Sequence, residues 1–415
     1  MGTLENLLQA RALIDQAIKD IGTVVVPPAA NPLITNGAEL DQALAISPAG
    51  AVLTLAKDFS NTLSRTLLKP VTLQSELAGS SRMTRGEPAP AFLGGLKLAA
   101  DDITLRGIEV RHQDPLARII TLAGNRPTLE RVRVLGDPTN GARCGIVANG
   151  GAMKITGAYI ADIFTRGEDT QAICAWDMNP GMWIEDCYLE AAGQSIMLGG
   201  GDSSSEARMP RDVTIKGCTL TKNPAWFEAA RHIQIKTALE FKACIGVTVD
   251  NCVLEYAGTS AGQGGYLIVA TVRNQDGHAP WSAIKNVLIT NCRGGKAGGI
   301  VTLLGQDNNY PSGVLDGFQL RASSFTEIDP KGITGGAGRL FTFDRAPAHV
   351  TIAGVSVVGQ NIAAKGYFSG QPPTKLTIIN VTLPPATYGW KIDAGGMGVA
   401  ALRAYAPDAI LDNSL

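Results

Sequence analysis

The sequence predicts an all-β chain wound as a single-stranded right-handed parallel β-helix, a solenoid, with a short helix at its N-terminus. Three observations predict it: a nine-residue strand-like pattern that recurs along the chain, a second apolar segment ahead of most copies, and a composition rich in glycine and poor in charge. Gly accounts for 48 of 415 residues and charged residues for only 18%, below the quarter usual in globular domains. Such a chain has backbone for turns and apolar side chains for a core, but few charges for exposed helix faces.

The pattern reads apolar-Thr-apolar-x-x-small-x-apolar and alternates as a strand does. Copies begin at Ile103 (ITLRGIEV), Pro127 (PTLERVRV), Met153 (MKITGAYI), Met182 (MWIEDCYL), Val213 (VTIKGCTL), Val247 (VTVDNCVL), Val287 (VLITNCRG), Phe318 (FQLRASSF), Val350 (VTIAGVSV) and Leu376 (LTIINVTL). Successive copies lie 24 to 40 residues apart, as expected of a constant coil carrying loops of variable length. The preceding apolar segments are ARIITLA, RCGIVA, QAICAW, QSIML, TALEF, GYLIVA, GIVTLL and RLFTF. Two or three short strands per coil select a β-helix over a propeller, whose blades need about four strands in about 40 to 45 residues.

Position five of the pattern holds Cys187, Cys218, Cys252 and Cys292 in successive copies, flanked by Ala158 and Ser323. Coils stacked ~4.8 Å apart turn that column into an interior ladder. A linear stack cannot surround one zinc tetrahedrally, so the ladder reads as packing. Cys144, Cys174 and Cys244 lie in or beside the preceding strands and read as structural. No cofactor and no metal site is marked: His112, His232 and His349 are scattered, and no dense carboxylate cluster suggests calcium. A divalent cation stays open for lyase chemistry.

At the N-terminus, Leu4, Leu7, Arg11, Ile14, Ile18 and Ile21 alternate at spacings of three and four, so residues 1–22 read as an amphipathic helix, either a cap or a trimeric coiled-coil stub. Residues 23–35 are a linker, and 36–415 form the β-helix, with a loop-lined groove around 196–316. The first residues lack the basic and apolar regions of a Sec signal, and no run of 18 apolar residues marks a membrane span. With 36 basic against 37 acidic side chains, bulk charge provides no footprint for nucleic acid or an anionic membrane.

The segment ITNGAELDQALAISPAGAVLTLAKDFSNTLSRTLLKPVTLQSELAG resembles the opening region of pectate-lyase-like right-handed parallel β-helix proteins, with a short helix at about residues 38–45 ahead of the strand AVLTLA. DTQAICAW (169–176), YLEAAGQSIMLGGGD (188–202), TALEFKACIGVTVDNCVLE (237–255), TVRNQDGHAPW (271–281) and YGWKIDAGGMG (388–398) are similar to bacterial and phage right-handed β-helix repeat proteins. The resemblance implies the fold. It leaves chemistry open, because that scaffold hosts lyases, hydrolases, epimerases and non-catalytic binders.

Function is expected where the coil is interrupted. GGGDSSSEARMPRD, TVRNQDGHAPWSAIKN and GQDNNYPSGVLD leave the coil at one junction and should line one side, while KNPAWFEAARHIQIK (222–236) leaves after the repeat strand and should close a neighbouring edge. Within them Asp202, Asp276 and Asp307 are the candidate catalytic carboxylates, since a glycosidase needs two carboxyl groups ~5 to 9.5 Å apart. Trp176, Trp226, Trp281 and Tyr310 are candidates for stacking on sugars; Lys242, Asn274, His278 and Gln306 are candidates for binding them. Arg273, Lys236, Lys242 and His278 offer bases for a lyase. The same Asp and Asn residues also suit Asx turns that brace the loops. Glu240 and Lys242 alternate with Phe241, facing either the groove or solvent.

The expected function is a carbohydrate-engaging β-helix of phage tailspike or tail-fibre type. It would be homotrimeric, located on the virion or outside the cell, and partnered by a bacterial surface polysaccharide and other tail proteins. Whether it depolymerises that polysaccharide is open. The alternatives are a free polysaccharide lyase or glycoside hydrolase and a non-catalytic virion structural protein; nucleic acid and membrane partners are not expected.

Overall fold

The computed structural model describes residues 33–77, 79 and 84–412. The parallel β-helix expected from the sequence is the fold. The helix expected at 1–22 and all but the end of the linker lie outside the described residues.

Each central coil contributes three strands. The first, such as Met153–Thr156, Met182–Glu185 and Arg211–Lys216, carries the front half of the repeat. The second, such as Tyr159–Ile163, Tyr188–Ala191 and Thr219–Thr221, carries its back half. The third, such as Gln171–Ala175, Gln194–Leu198 and Leu239–Phe241, is the apolar segment ahead of the next copy. Equivalent strands pair in parallel. The second residues of all ten copies, from Thr104 through Thr128, Lys154, Trp183, Thr214, Thr248, Leu288, Gln319 and Thr351 to Thr377, stand opposite one another in register. The third sheet has 12 strands, from Arg65–Leu67 to Trp390–Ile392.

A single left-handed residue bends the chain between first and second strands. Gly157, Asp186, Gly217, Asn251 and Asn291 take φ of 61°, 53°, 63°, 53° and 54°, a region Gly, Asn and Asp enter at least cost. The next residue points inward, and there the cysteine ladder stands: Cys187, Cys218 and Cys252 are fully buried and Cys292 is nearly so. Each thiol donates to the carbonyl two residues back, at 3.1 to 3.3 Å, as a second donor on an oxygen that already accepts a backbone N–H from the neighbouring coil. Contact with Cys218, together with burial, pushes the Cys252 thiol up to about 12.

The interior is a set of apolar columns, one of which runs Ile120, Ile146, Ile173, Ile196, Leu239, Ile268, Val301 and Phe341, all at 0% exposure. Burying a side chain of this kind contributes roughly 1.5 to 3 kcal/mol, so every coil stabilises its neighbours. Both ends of the described solenoid carry a helix. In Gly37–Ile46, close to the expected 38–45, the Asn36 side chain accepts from the N–H groups of Ala38 and Glu39, and Leu40 is buried. The second helix, Gly398–Tyr405, was not legible in sequence because two turns are too short to display a helical period. It buries Leu402 and sets Tyr405 edge-on to Phe368, with ring centroids 6.2 Å apart.

Candidate functional site

Loops border the third sheet on both sides, making its outer face the floor of a trough. The insertions at 199–210, 272–283 and 305–314 all leave between a third strand and the next first strand, the single junction expected. The insertion at 222–238 leaves between second and third strands and forms part of the opposite wall. Lys222 anchors it: its buried ammonium donates to the carbonyls of Ala191, Gly193 and Thr237 at 3.0, 2.9 and 2.9 Å. Burial pulls this lysine down to about 7, while three carbonyl acceptors favour its charged form.

The acidic residues singled out from the sequence lie in the first wall. Asp202 Oδ2 accepts from the backbone N–H groups of Asp276 and His278 at 3.1 and 2.8 Å. Its Oδ1 is buried without a hydrogen-bond partner. Asp307 is buried and accepts from the N–H of Asn274 at 2.6 Å and of Asn309 at 2.8 Å, with Arg273 3.6 Å away. Asn274 is buried as well, accepting from Ala279 N–H and donating to the Pro311 carbonyl. These groups lock three loops to one another. Asp276, His278, Gln306 and Tyr310 are exposed on the same wall.

The aromatic candidates separate. Trp226 is enclosed with Phe164, Ile233 and Ile235 under the opposite wall, its ring 5.4 Å from that of Phe164, and offers no face to the trough. Trp281 is half-buried and donates its indole N–H to Ser203 at 2.9 Å. Trp176 lines the trough, against Met197 and Cys174, with the Arg118 guanidinium 5.4 Å from its ring centroid. The glycine run beside it permits this: a Cβ on Gly201 would stand 3.1 Å from the indole, and one on Gly199 would stand 2.4 Å from the Ala243 nitrogen.

The floor follows from an irregularity in the third strand. Two consecutive residues, Ala172 and Ile173 or Leu267 and Ile268, both enter the core, so the residues on either side of such a pair face outward. One outward column runs Val147, Cys174, Met197, Glu240, Val269 and Thr302. Beside it Gln171, Gln194 and Glu240 form a chain of side chains: Gln171 Nε2 donates to Gln194 Oε1 at 2.9 Å, and Gln194 Nε2 donates to Glu240 Oε2 at 2.5 Å. In this arrangement the Gln194 oxygen accepts and its nitrogen faces Glu240, whose Oε2 is the acceptor. The other oxygen lies 3.7 Å from Lys242 Nζ.

Two cavities lie over this floor, of about 420 Å³ and about 300 Å³, and Lys242 lines both. A third, of about 280 Å³, adjoins at the N-terminal end and shares Arg118 with the middle one. Of the residues expected at the site, Lys242, Arg273 and Trp176 reach these cavities; Glu240, which was left facing either groove or solvent, lines the first. Gln171, Gln194 and Arg118 were missed. The signal available for the first two is a Gln opening both QAICAW and QSIML, a polar residue repeated at one place in an apolar segment. Among the described residues no three His, Cys, Asp or Glu side chains converge as metal ligands.

The chain is thus a parallel β-helix with a walled outer sheet. No family model matches the sequence, and no curated protein matches it. Among solved structures it is similar to the catalytic unit of a thermostable GH87 alpha-1,3-glucanase from Streptomyces thermodiastaticus, at 13% identity and a TM-score of 0.59, over 92% of this chain. This chain spans 66% of that one. It also matches the tailspike protein gp49 of Pseudomonas phage LKA1 (13% identity, TM-score 0.43, covering 84% of this chain and 52% of that one) and an alginate lyase from Paenibacillus (15%, 0.37, covering 86% and 97%). The first likeness shows the shared fold. Among the described residues no helix is long and apolar enough to cross a membrane.

Proposed function

We propose that this chain is a carbohydrate-engaging β-helix that holds a polysaccharide lengthwise in the trough over its third sheet. The observation that carries the reading is the continuity of the trough, whose three cavities join through Arg118 and Lys242. A compact ligand calls for one enclosed pocket; an extended polymer calls for a row of open ones. Trp176 supplies an aromatic wall, and the Glu240–Lys242 pair is the acid–base candidate. Lyase chemistry fits better than two-carboxylate hydrolysis. The other carboxylates lining these cavities are Asp169, 2.5 Å from Lys236, and Asp114 at the far N-terminal end. Asp202 and Asp307 are engaged in bracing loops.

Screening against capsular, lipopolysaccharide and pectin-like polysaccharides tests this reading. Binding to at least one is expected, weakened about tenfold by Trp176→Ala, close to 1.4 kcal/mol. Cleavage by elimination would release an ultraviolet-absorbing unsaturated product. Absence of binding to every polymer at millimolar sugar would overturn the proposal. The tailspike role and a trimer find support in the three-and-four spacing of residues 1–22; light scattering should then give three times 43.4 kDa, and a monomer would refute the trimer.

A further inference from the structure

We infer that the polysaccharide is an acidic one, carrying carboxylate or sulfate groups along its length. This rests on the trough being a polysaccharide site. Although the whole chain is nearly neutral, seven basic against three acidic side chains line the three cavities. Pairing sharpens the imbalance. Arg65, Arg143, Lys242 and Arg273 have carboxylate neighbours in Asp41, Glu168, Glu240 and Asp307. Lys97, Arg118 and Arg339 have none among the described residues. Arg118 and Arg339 lie instead over the rings of Trp176 and Tyr367, at 5.4 and 3.4 Å from the centroids, an arrangement that holds a guanidinium in place while leaving its N–H donors for an anion.

These three cations are spread out. Lys97 stands on the second strand of the third sheet and Arg339 on the tenth, so at ~4.8 Å per coil they bracket about 40 Å of trough. A single phosphate or carboxylate would need cations converging on one point. A line of them matches a polymer with repeated anionic groups. The cavity of about 600 Å³ outside the trough, beside Tyr256, has the opposite balance, Lys296 against Glu327 and Asp329, so the basic stripe belongs to this face.

The test pairs polygalacturonate, alginate and hyaluronan with their carboxyl-reduced, neutral counterparts, with binding read by calorimetry on the full chain. At least one polyuronate should bind tenfold or more tighter than its neutral counterpart. That preference should shrink when salt rises from 50 to 500 mM and in the Lys97→Gln/Arg118→Gln variant, whose exposed positions leave melting unchanged. Equal or tighter binding of the neutral polymers would overturn the acidic assignment and leave the trough as a polysaccharide site. Tighter binding of a single-stranded oligonucleotide than of every polyuronate would also overturn it. No binding of any polymer would sink the underlying reading.

Discussion

The wall and the floor of the trough use carboxylates in opposite ways. In the wall, Asp202 and Asp307 face backbone N–H groups of neighbouring loops. In the floor, Glu240 has one oxygen held by Gln194 and the other facing Lys242 beside open space. The cause lies in the backbone. An irregular loop leaves peptide groups unpaired, and a nearby acidic side chain satisfies them. A strand within a parallel sheet has its peptide groups paired already, so a side chain projecting from it is available to a ligand.

The sharpest way to break this contrast is a pair of substitutions. Glu240→Gln keeps the size of the side chain and an acceptor for Gln194, so melting should stay within about 2 °C while any polysaccharide cleavage falls at least ~100-fold. A folded variant with undiminished cleavage would remove Glu240 from the chemistry. Asp307→Ala should do the reverse. It orphans the buried Asn274 amide, worth about 1 to 3 kcal/mol, so urea unfolding should show a loss of roughly 2 kcal/mol. Asp276→Ala, on the same wall but exposed, should fall within about 0.5 kcal/mol of the parent; a large loss there would show that the wall's acids cannot be sorted by burial.

A pH-dependent effect separates the opposite wall from the core. Burial pulls Lys222 down to about 7 in the folded chain, from its ordinary 10.5. Between those values the unfolded chain holds a proton that the folded chain lacks, so stability rises with pH across this window, by at most about 1.4 kcal/mol per unit. Below pH 7 both states hold the proton and the contribution flattens. Unfolding curves from pH 6 to 10 should show that slope, and Lys222→Met should lack it. The smallest effect belongs to the cysteine ladder, where Cys218→Ala should cost about 1 kcal/mol. The four ladder thiols are free and buried, so a thiol reagent at pH 8 should label none of them until the chain unfolds. Rapid labelling of the folded chain at Cys218 or Cys252 would contradict a packed column.

Much of this architecture was legible in the sequence because it repeats locally. Period-two alternation identified the first strand of every coil, and the cysteines at position five marked an interior column. Loop lengths told which junction the insertions leave from. Residue type alone, however, pointed to the acids of those loops and to Trp226. It could not show that Asp307 faces amides or that the Trp226 ring lies against Phe164, because both depend on how one loop meets another.

The sequence by itself determined the coil, its register and the side on which the loops gather, since each follows from residues close together in the chain. Only the tertiary structure decided which face is the floor and which polar groups line it. The inward pair in the central third strands shifts the alternation, so the outward column cannot be read by counting twos. The Gln171–Gln194–Glu240 chain joins residues 23 and 46 positions apart, brought together by the stacking of coils whose intervening loops differ in length. Adjacency across coils is a property of the solenoid, and no segment of the chain contains it.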